Sequence, residues 1–271
     1  MNPLEALDPT IIMQLRHMEQ PHPVERAKYR GKITNEVKGC TNCELHKSCT
    51  APVPFRGPKK PRIIVMGEAP GPEEDKAGKP FVGPSGKLLA ALLRDAGFDP
   101  LEDVFYMNAV SCFPNVEGKI KAPSPNEMLA CRWNMIFQMQ AAYTPFVVLV
   151  GGKALHTFRS DLTVTNHRGQ IFVMNDSYVV MPTYHPAFAL RGNSAAKGMI
   201  REDLMKMAAI LESGDDPLSF IGEKCFKCNG EATRWDRDAV PMCESHWKKW
   251  GKSWESERYR WTGDPIIQLT F

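Results

Sequence analysis

Ile63-Ile64-Val65-Met66 runs directly into Gly67-Glu68-Ala69-Pro70-Gly71, an apolar stretch that ends in a loop rich in glycine and proline. A short apolar run bounded by such turn formers predicts a buried strand. Outward from it the same punctuation recurs. An amphipathic helix carrying Leu88, Leu89, Leu92 and Leu93 follows the loop, and a second strand is predicted at Val104 to Asn108. Ser124, Pro125 and Glu127 read as N-cap, first helical residue and reciprocal cap of a helix reaching about Ala142. Phe146-Val147-Val148-Leu149-Val150 is another buried strand ending in Gly151-Gly152, with a short helix around Ala154 to Phe158 behind it. Tyr178 to Met181 supplies one more strand, and Lys197 to Leu211 one more helix. This alternation predicts an α/β fold: a doubly wound, mostly parallel central sheet with helices on both faces and a ligand crevice beyond the carboxyl ends of the strands. The loops Glu68 to Pro84, Asn108 to Pro114 and Thr183 to Arg191 all follow strands, so the chemistry is expected there.

A chain of 271 residues with 43% hydrophobic content holds one full core and a small appendage. The net charge of +3 neither demands nor excludes nucleic acid. Met1 to Arg16 lacks the basic start and apolar run of a signal peptide, and no stretch approaches the ~20 apolar residues of a membrane span. A soluble, cytoplasmic protein with no membrane association is expected. In that reducing compartment the eight cysteines read as metal ligands or plain thiols rather than disulfides.

The N-terminal part, residues 1–35, mixes proline with charge and predicts one helix, Pro9 to Glu19, before a tether. A main domain is drawn at 36–213, a polar and acidic linker at 214–223, and a separate module at 224–271. In that module Cys225-x-x-Cys228 is followed after 14 residues by Cys243-x-x-His246, two close pairs able to surround one tetrahedral Zn²⁺ in a zinc-finger-like unit. A tail of under ~50 residues commonly needs such a metal to fold. Trp247, Lys248, Lys249, Trp250, Lys252 and Trp254 interleave rings with cations, which suits stacking on bases and neutralising phosphate, and equally suits packing on the zinc unit. A protein or nucleic-acid partner is expected for this module.

Cys40-x-x-Cys43 alone fits zinc, redox or cluster ligation. Cys112 lies just past a strand and Cys131 on the well-capped helix, so the four sulfurs would have to converge from separate elements onto a large cofactor. A 4Fe-4S cluster fits that convergence, and zinc also satisfies the donors. Cys49 is the spare thiol.

Gly67-Glu68-Ala69-Pro70-Gly71, continuing as Glu73-Glu74-Asp75 and Gly78-Lys79-Pro80-Phe81-Val82-Gly83, resembles the first motif of the family-four, iron-sulfur uracil-DNA glycosylases. Asn108-Ala109-Val110-Ser111-Cys112 is similar to that family's asparagine-to-cysteine motif, and His185-Pro186-Ala187-Phe188-Ala189-Leu190-Arg191 to its closing motif. The resemblance covers about Gly39 to Leu211 and excludes both ends of the chain.

What the resemblance implies is a hydrolase that flips uracil out of single- or double-stranded DNA, cleaves its N-glycosidic bond and leaves an abasic site, working as a monomer. Phe81 would stack under the base, and Ala69 and Gly71 would line its pocket. Asn108 carries one donor and one acceptor, the complement of uracil O4 and N3–H. His185 would donate to O2 as negative charge develops there. Ala69 stands where better-known uracil glycosylases carry a water-positioning aspartate, which leaves Glu68 and Asp75 as the carboxylates for water or backbone organisation. Glu74 resembles a carboxylate that crowds out the thymine methyl. Arg191 would hold phosphate or flank the gap left by the flipped base. Phe113-Pro114-Asn115-Val116-Glu117-Gly118 departs from the family's basic, proline-rich stretch, whose charges come later here at Lys119 and Lys121. No Arg- and His-rich loop precedes the last motif, which argues against covalent trapping of the product. Two alternatives stand beside this expectation: a non-catalytic, DNA-binding or replication-associated protein of glycosylase-like fold, and a glycosylase for another modified base.

Overall fold

The computed structural model describes residues 23–116, 118–174, 178–213, 234–235 and 241–242. The chain divides into two compact units, residues 21–170 with 180–215, and residues 1–20, 171–179 and 216–271. In the second unit a short antiparallel pair sets Arg234 opposite Met242 and Trp235 opposite Pro241. The helix predicted at Pro9 to Glu19 and the zinc ligands predicted at Cys225, Cys228, Cys243 and His246 lie outside the described residues.

The first unit is built on a parallel four-strand sheet. Its strands are β1 (Ile63–Gly67), β2 (Val104–Asn108), β3 (Phe146–Val150) and β4 (Tyr178–Thr183), in the spatial order β2-β1-β3-β4. Every residue of β1 and β2 is buried, as expected of strands covered on both faces. The register pairs Ile63 with Val104 and Gly67 with Asn108, so the ends of β1 and β2 finish level. On the other side of β1, Ile64 pairs with Val147 and Met66 with Leu149. The chain steps from β1 outward to β2, then returns past β1 to β3 and on to β4. Strands β1 and β3 therefore flank the switch in strand order, the position where open α/β sheets leave a crevice.

The helices are α1 (Pro23–Lys38), α2 (Pro72–Ala77), α3 (Pro84–Asp95), α4 (Pro125–Ala130), α5 (Arg132–Ala142), α6 (Gly152–His156), α7 (Val164–His167), α8 (Pro186–Leu190) and α9 (Ala195–Ser213). Helices α3, α8 and α9 pack on one another, and α1 packs on α5. Leu89 and Leu93 of α3 and Ile200, Leu204 and Met207 of α9 are fully enclosed. Each such side chain contributes about 1.5–3 kcal/mol when it leaves water.

Three departures from the expected elements have physical causes. Helix α1 runs through the boundary drawn at residue 35. Within residues 27–38 it buries Ile33 and Val37 on one face, and polar contacts add to its anchorage. Tyr29 Oη donates to Gln140 Oε1 (3.0 Å), and Arg30 donates to the carbonyls of Ala141 (3.2 Å) and Gly57 (2.9 Å). The single helix expected from Ser124 to Ala142 is two. Its capping box is present, with Glu127 Oε2 accepting from the Ser124 N–H (2.7 Å) and Ser124 Oγ from the Glu127 N–H (3.3 Å). Cys131 is the joint between α4 and α5. The stretch after Cys112 forms a hairpin, Asn115–Val116 paired with Lys119–Ile120, turned by Gly118 at a φ of 77°.

Candidate active site

Two glycines mark where the crevice opens, because β1 ends on Gly67 and β3 is followed by Gly151. A Cβ on Gly67 would lie 2.5 Å from Asn108 Oδ1 and 2.8 Å from Phe81 Cζ. One on Gly151, which has a φ of 97°, would lie 3.1 Å from the His185 Cβ. The space a side chain would have filled at each strand end is taken instead by residues brought from elsewhere in the chain. In this way Phe81 from the loop after α2, Asn108 from the end of β2 and His185 from the loop after β4 line one cavity of about 1000 Å³ with Glu68, Ala69, Gly71 and Glu74.

Asn108 is held by the strand register and is 93% out of solvent, its exposure being 7%. Its side-chain amide makes no hydrogen bond among the described residues, which leaves its donor and acceptor free for an occupant of the cavity. Phe81 sits at a φ of 55°, left-handed backbone that a bulky residue seldom adopts and that costs about 1–3 kcal/mol. Its ring leans on Tyr106 with centroids 5.6 Å apart. Gly86 makes room for its carbonyl, since a Cβ there would collide with the Phe81 backbone.

His185 is the N-cap of α8, and its Nδ1 accepts from the Ala187 N–H (3.1 Å). An Nδ1 that accepts leaves the proton on Nε2, so the neutral ring is a donor at Nε2. Burial pushes the imidazole pKa down from 6.5 to about 4, with the positive Arg191 adding to the fall and Glu74 opposing it. The ring is therefore neutral at physiological pH. Behind β4, Thr183 Oγ1 donates to Asp203 Oδ2 (2.6 Å), and Arg168 pairs with the same carboxylate (2.9 Å), fixing the strand from which the His185 loop departs.

The carboxylates divide by contact. Glu68 lines the cavity, and burial raises its pKa while Lys153 and Arg191 oppose the rise. Glu74 also lines the cavity, but its oxygens are engaged by backbone: Oε1 accepts from Val82 N–H (3.1 Å) and Gly83 N–H (2.8 Å), and Oε2 from Gly71 N–H (3.1 Å). Asp75 is not among the cavity-lining residues. It is buried and accepts from the Thr50 N–H (3.0 and 3.1 Å) and from Thr50 Oγ1 (2.6 Å). Both Asp75 oxygens are thus engaged by Thr50, through its amide and its hydroxyl. Arg191 is exposed and lines the cavity at the end of α8. The hairpin adds Ile120, 66% exposed, and Lys121, whose ammonium lies 2.8 Å from Glu127.

Beside the cavity lies a packed cluster of thiols. Buried Cys112 and Cys131 pack with Leu45 and Val110, and half-buried Cys43 and Cys49 pack against them with Ala69 and Met128. All of these thiols, and Cys40, are free. Burial raises the Cys131 thiol to about 12 and lifts Cys112 further above its ordinary range, with neighbouring thiols adding to both. Among the described residues no three His, Cys, Asp or Glu side chains close on a single ion. A set of soft thiols from separate elements, sharing one apolar pocket, is the donor chemistry an iron-sulfur cluster takes. Cys49, read from the sequence as the spare thiol, packs in this same cluster with Cys43.

Arg56 and Thr50 left no signal in the sequence, whereas Gly151 was legible as half of the Gly-Gly pair that ends a strand, though not as a wall of the His185 site.

The model of the Uracil DNA glycosylase superfamily matches residues 54–208. A Type-4 uracil-DNA glycosylase of Thermotoga maritima is 35% identical over 183 residues, spanning 66% of this chain and 93% of that protein. Those of Saccharolobus solfataricus (33% identical over 212 residues, 74% of this chain and 96% of that one) and Archaeoglobus fulgidus (34% identical over 167 residues, 58% and 81%) are also similar.

Proposed function

This chain belongs to the uracil DNA glycosylase superfamily, and from that membership we propose that it hydrolyses the N-glycosidic bond of uracil in DNA, releasing the base and leaving an abasic site for repair. The observation that carries the proposal is the meeting of Phe81, Asn108 and His185 over the two strand-end glycines. An extruded uracil stacks on Phe81, and the free Asn108 amide donates to O4 and accepts from N3–H. Cytosine presents the opposite pattern and is rejected, because it leaves buried polar groups unpaired. As the C1′–N1 bond breaks, its electron pair moves into the ring and charge gathers on O2. Neutral His185 donates there from Nε2, and once the base fills the cavity and displaces water that hydrogen bond counts for more than in water. Water adds its oxygen to C1′, the proton it loses passes through solvent to the departing uracil anion, and Glu68 is the cavity carboxylate to orient that water. Glu74 limits space beside the base, and Arg191 holds phosphate at the rim.

Cys40, Cys43, Cys112 and Cys131 would hold a 4Fe-4S cluster, whose contribution is to brace the loop that begins at Asn108. Cys225, Cys228, Cys243 and His246 would hold Zn²⁺ in the module at 224–271, supported by their spacing in the sequence. The substrate is uracil-containing DNA of one or two strands. The protein acts as a cytoplasmic monomer, and the C-terminal module engages a further partner. Among the described residues no helix is long and apolar enough to cross a membrane.

The test is base release from uracil-, thymine- and hypoxanthine-containing strands, read as alkali-sensitive cleavage, together with iron and zinc analysis of the same protein. Uracil release is expected with about four irons per chain. DNA binding without release from any of the strands would favour a non-catalytic role. Stoichiometric zinc in place of iron at the first four cysteines would overturn the cluster.

A further inference from the structure

The left-handed backbone of Phe81 needs something to hold it, because a bulky side chain relaxes out of that region unless its surroundings over-determine it. Glu74 fixes the two amides that follow, at Val82 and Gly83. The carbonyls on the near side are fixed by a residue from a different part of the chain. Arg56 Nε donates to the Pro80 carbonyl (2.7 Å), and Arg56 Nη2 donates to the Phe81 carbonyl (3.2 Å). The guanidinium lies 3.9 Å over the Tyr106 ring, on which Phe81 also leans. Arg56 itself is tied to β2 by a reciprocal bridge, its N–H donating to the Tyr106 carbonyl (3.0 Å) and its carbonyl accepting from the Tyr106 N–H (2.8 Å).

We propose that Arg56 is a positioning residue for the base-stacking face: its planar fork clamps the Pro80 and Phe81 carbonyls against β2 and thereby sets the height of the Phe81 ring in the cavity. This rests on the proposed uracil release. Arg56 is absent from the cavity lining, so it acts through Phe81 rather than on the base. The fork is the requirement, since two diverging N–H groups reach two successive carbonyls while an ammonium on a flexible stem is a single point charge.

Single-turnover uracil release and DNA affinity are to be measured for wild type, Arg56→Ala, Arg56→Lys, Phe81→Ala and the double variant Arg56→Ala/Phe81→Ala, with thermal melting to establish that each is folded. Arg56→Ala is expected to lower the release rate by roughly 10–100-fold, the scale of a small misplacement of the substrate, with DNA affinity unchanged. Arg56→Lys should recover only part of the rate, and it also serves as the test protein if the alanine variant does not fold. In the Phe81→Ala background, loss of Arg56 should cost little more, because the two act as a unit. Equal losses in both backgrounds, or a wild-type rate in Arg56→Ala, would overturn the assignment. Hydrogen exchange over residues 79–86 reads the clamp without reference to chemistry. Faster exchange in the Arg56 variants is expected, and unchanged exchange refutes the clamp. A wild type that releases no uracil would sink the glycosylase proposal while leaving this exchange measurement to decide on Arg56.

Discussion

The base cavity and the thiol pocket share a wall at Ala69, which lines one and packs against the other, yet they are held by opposite means. The cavity is a set of directional contacts: three amides on Glu74, two carbonyls on Arg56, and one amide on His185 Nδ1. The thiol pocket is apolar burial around sulfurs that have little hydrogen bonding to give. Directional contacts fix side chains to within the tolerance that chemistry needs, whereas apolar burial supplies stability and tolerates small displacements. Damage to the cavity should therefore appear in rates, and damage to the thiol side in melting temperature.

The widest separation between the two regions comes from the cavity. His185→Ala should lower uracil release by about 10²–10³-fold, the usual loss when a donor to a developing anion is removed, with melting little changed. Asn108→Ala should follow closely and also relax the preference for uracil over cytosine. Retained release in both variants would show that these directional contacts do not set the rate.

Gly67→Ala tests the shared strand end. Its Cβ would meet both Asn108 and Phe81, so a loss of about 1–3 kcal/mol from overpacking is expected, along with reduced release. Denaturant unfolding and release rates on the same protein check both halves of that expectation.

Acid sharpens the contrast through one ring. His185 titrates near 4 in the folded chain against 6.5 ordinarily, so the unfolded chain binds the extra proton first. Stability is complete above pH 6.5 and declines as pH falls toward 4, by up to about 3 kcal/mol from this group. Release should hold level down to about pH 5 and fall below 4, where a proton on Nδ1 displaces the Ala187 N–H. His185→Asn should flatten the acid slope of stability, measured by melting across pH 3 to 8.

The smallest effect belongs to the thiol side. Thr50→Val removes the hydroxyl from Asp75 and should cost about 1–2 kcal/mol in melting, with uracil release within a few-fold of wild type. A large loss of release there would show that the two regions are not mechanically separate.

The sheet was legible because its strands are buried on both faces and so read as unbroken apolar runs, as at Ile63–Met66 and Phe146–Val150. The three loops were legible because they follow those runs and carry Gly, Pro, Asn and His where turns alone do not require them. Helix α1 was not, because Ile33 and Val37 are too few to give a helical period, and its anchorage depends on Arg30 and Tyr29 meeting partners far along the chain. The break at Cys131 was hidden for the reverse reason, since the capping signal at Ser124 and Glu127 marks where a helix starts and says nothing of where it bends. Arg56 stands in Val53-Pro54-Phe55-Arg56-Gly57-Pro58, which reads as loop. Its importance depends on the φ of Phe81 and on two carbonyls more than twenty residues away. The contacts of Glu74 and Asp75 were likewise out of reach, because adjacent acids look alike in a sequence.

Those adjacent acids occupy one turn of α2 and serve different masters, Glu74 the Phe81 loop and Asp75 the chain beside Cys49. Neighbours on a helix diverge by about 100°. Adding or deleting a single residue in that turn would swing both carboxylates off their targets at once. The length of α2 is thus a shared gauge block between two parts of the molecule that otherwise answer to different forces.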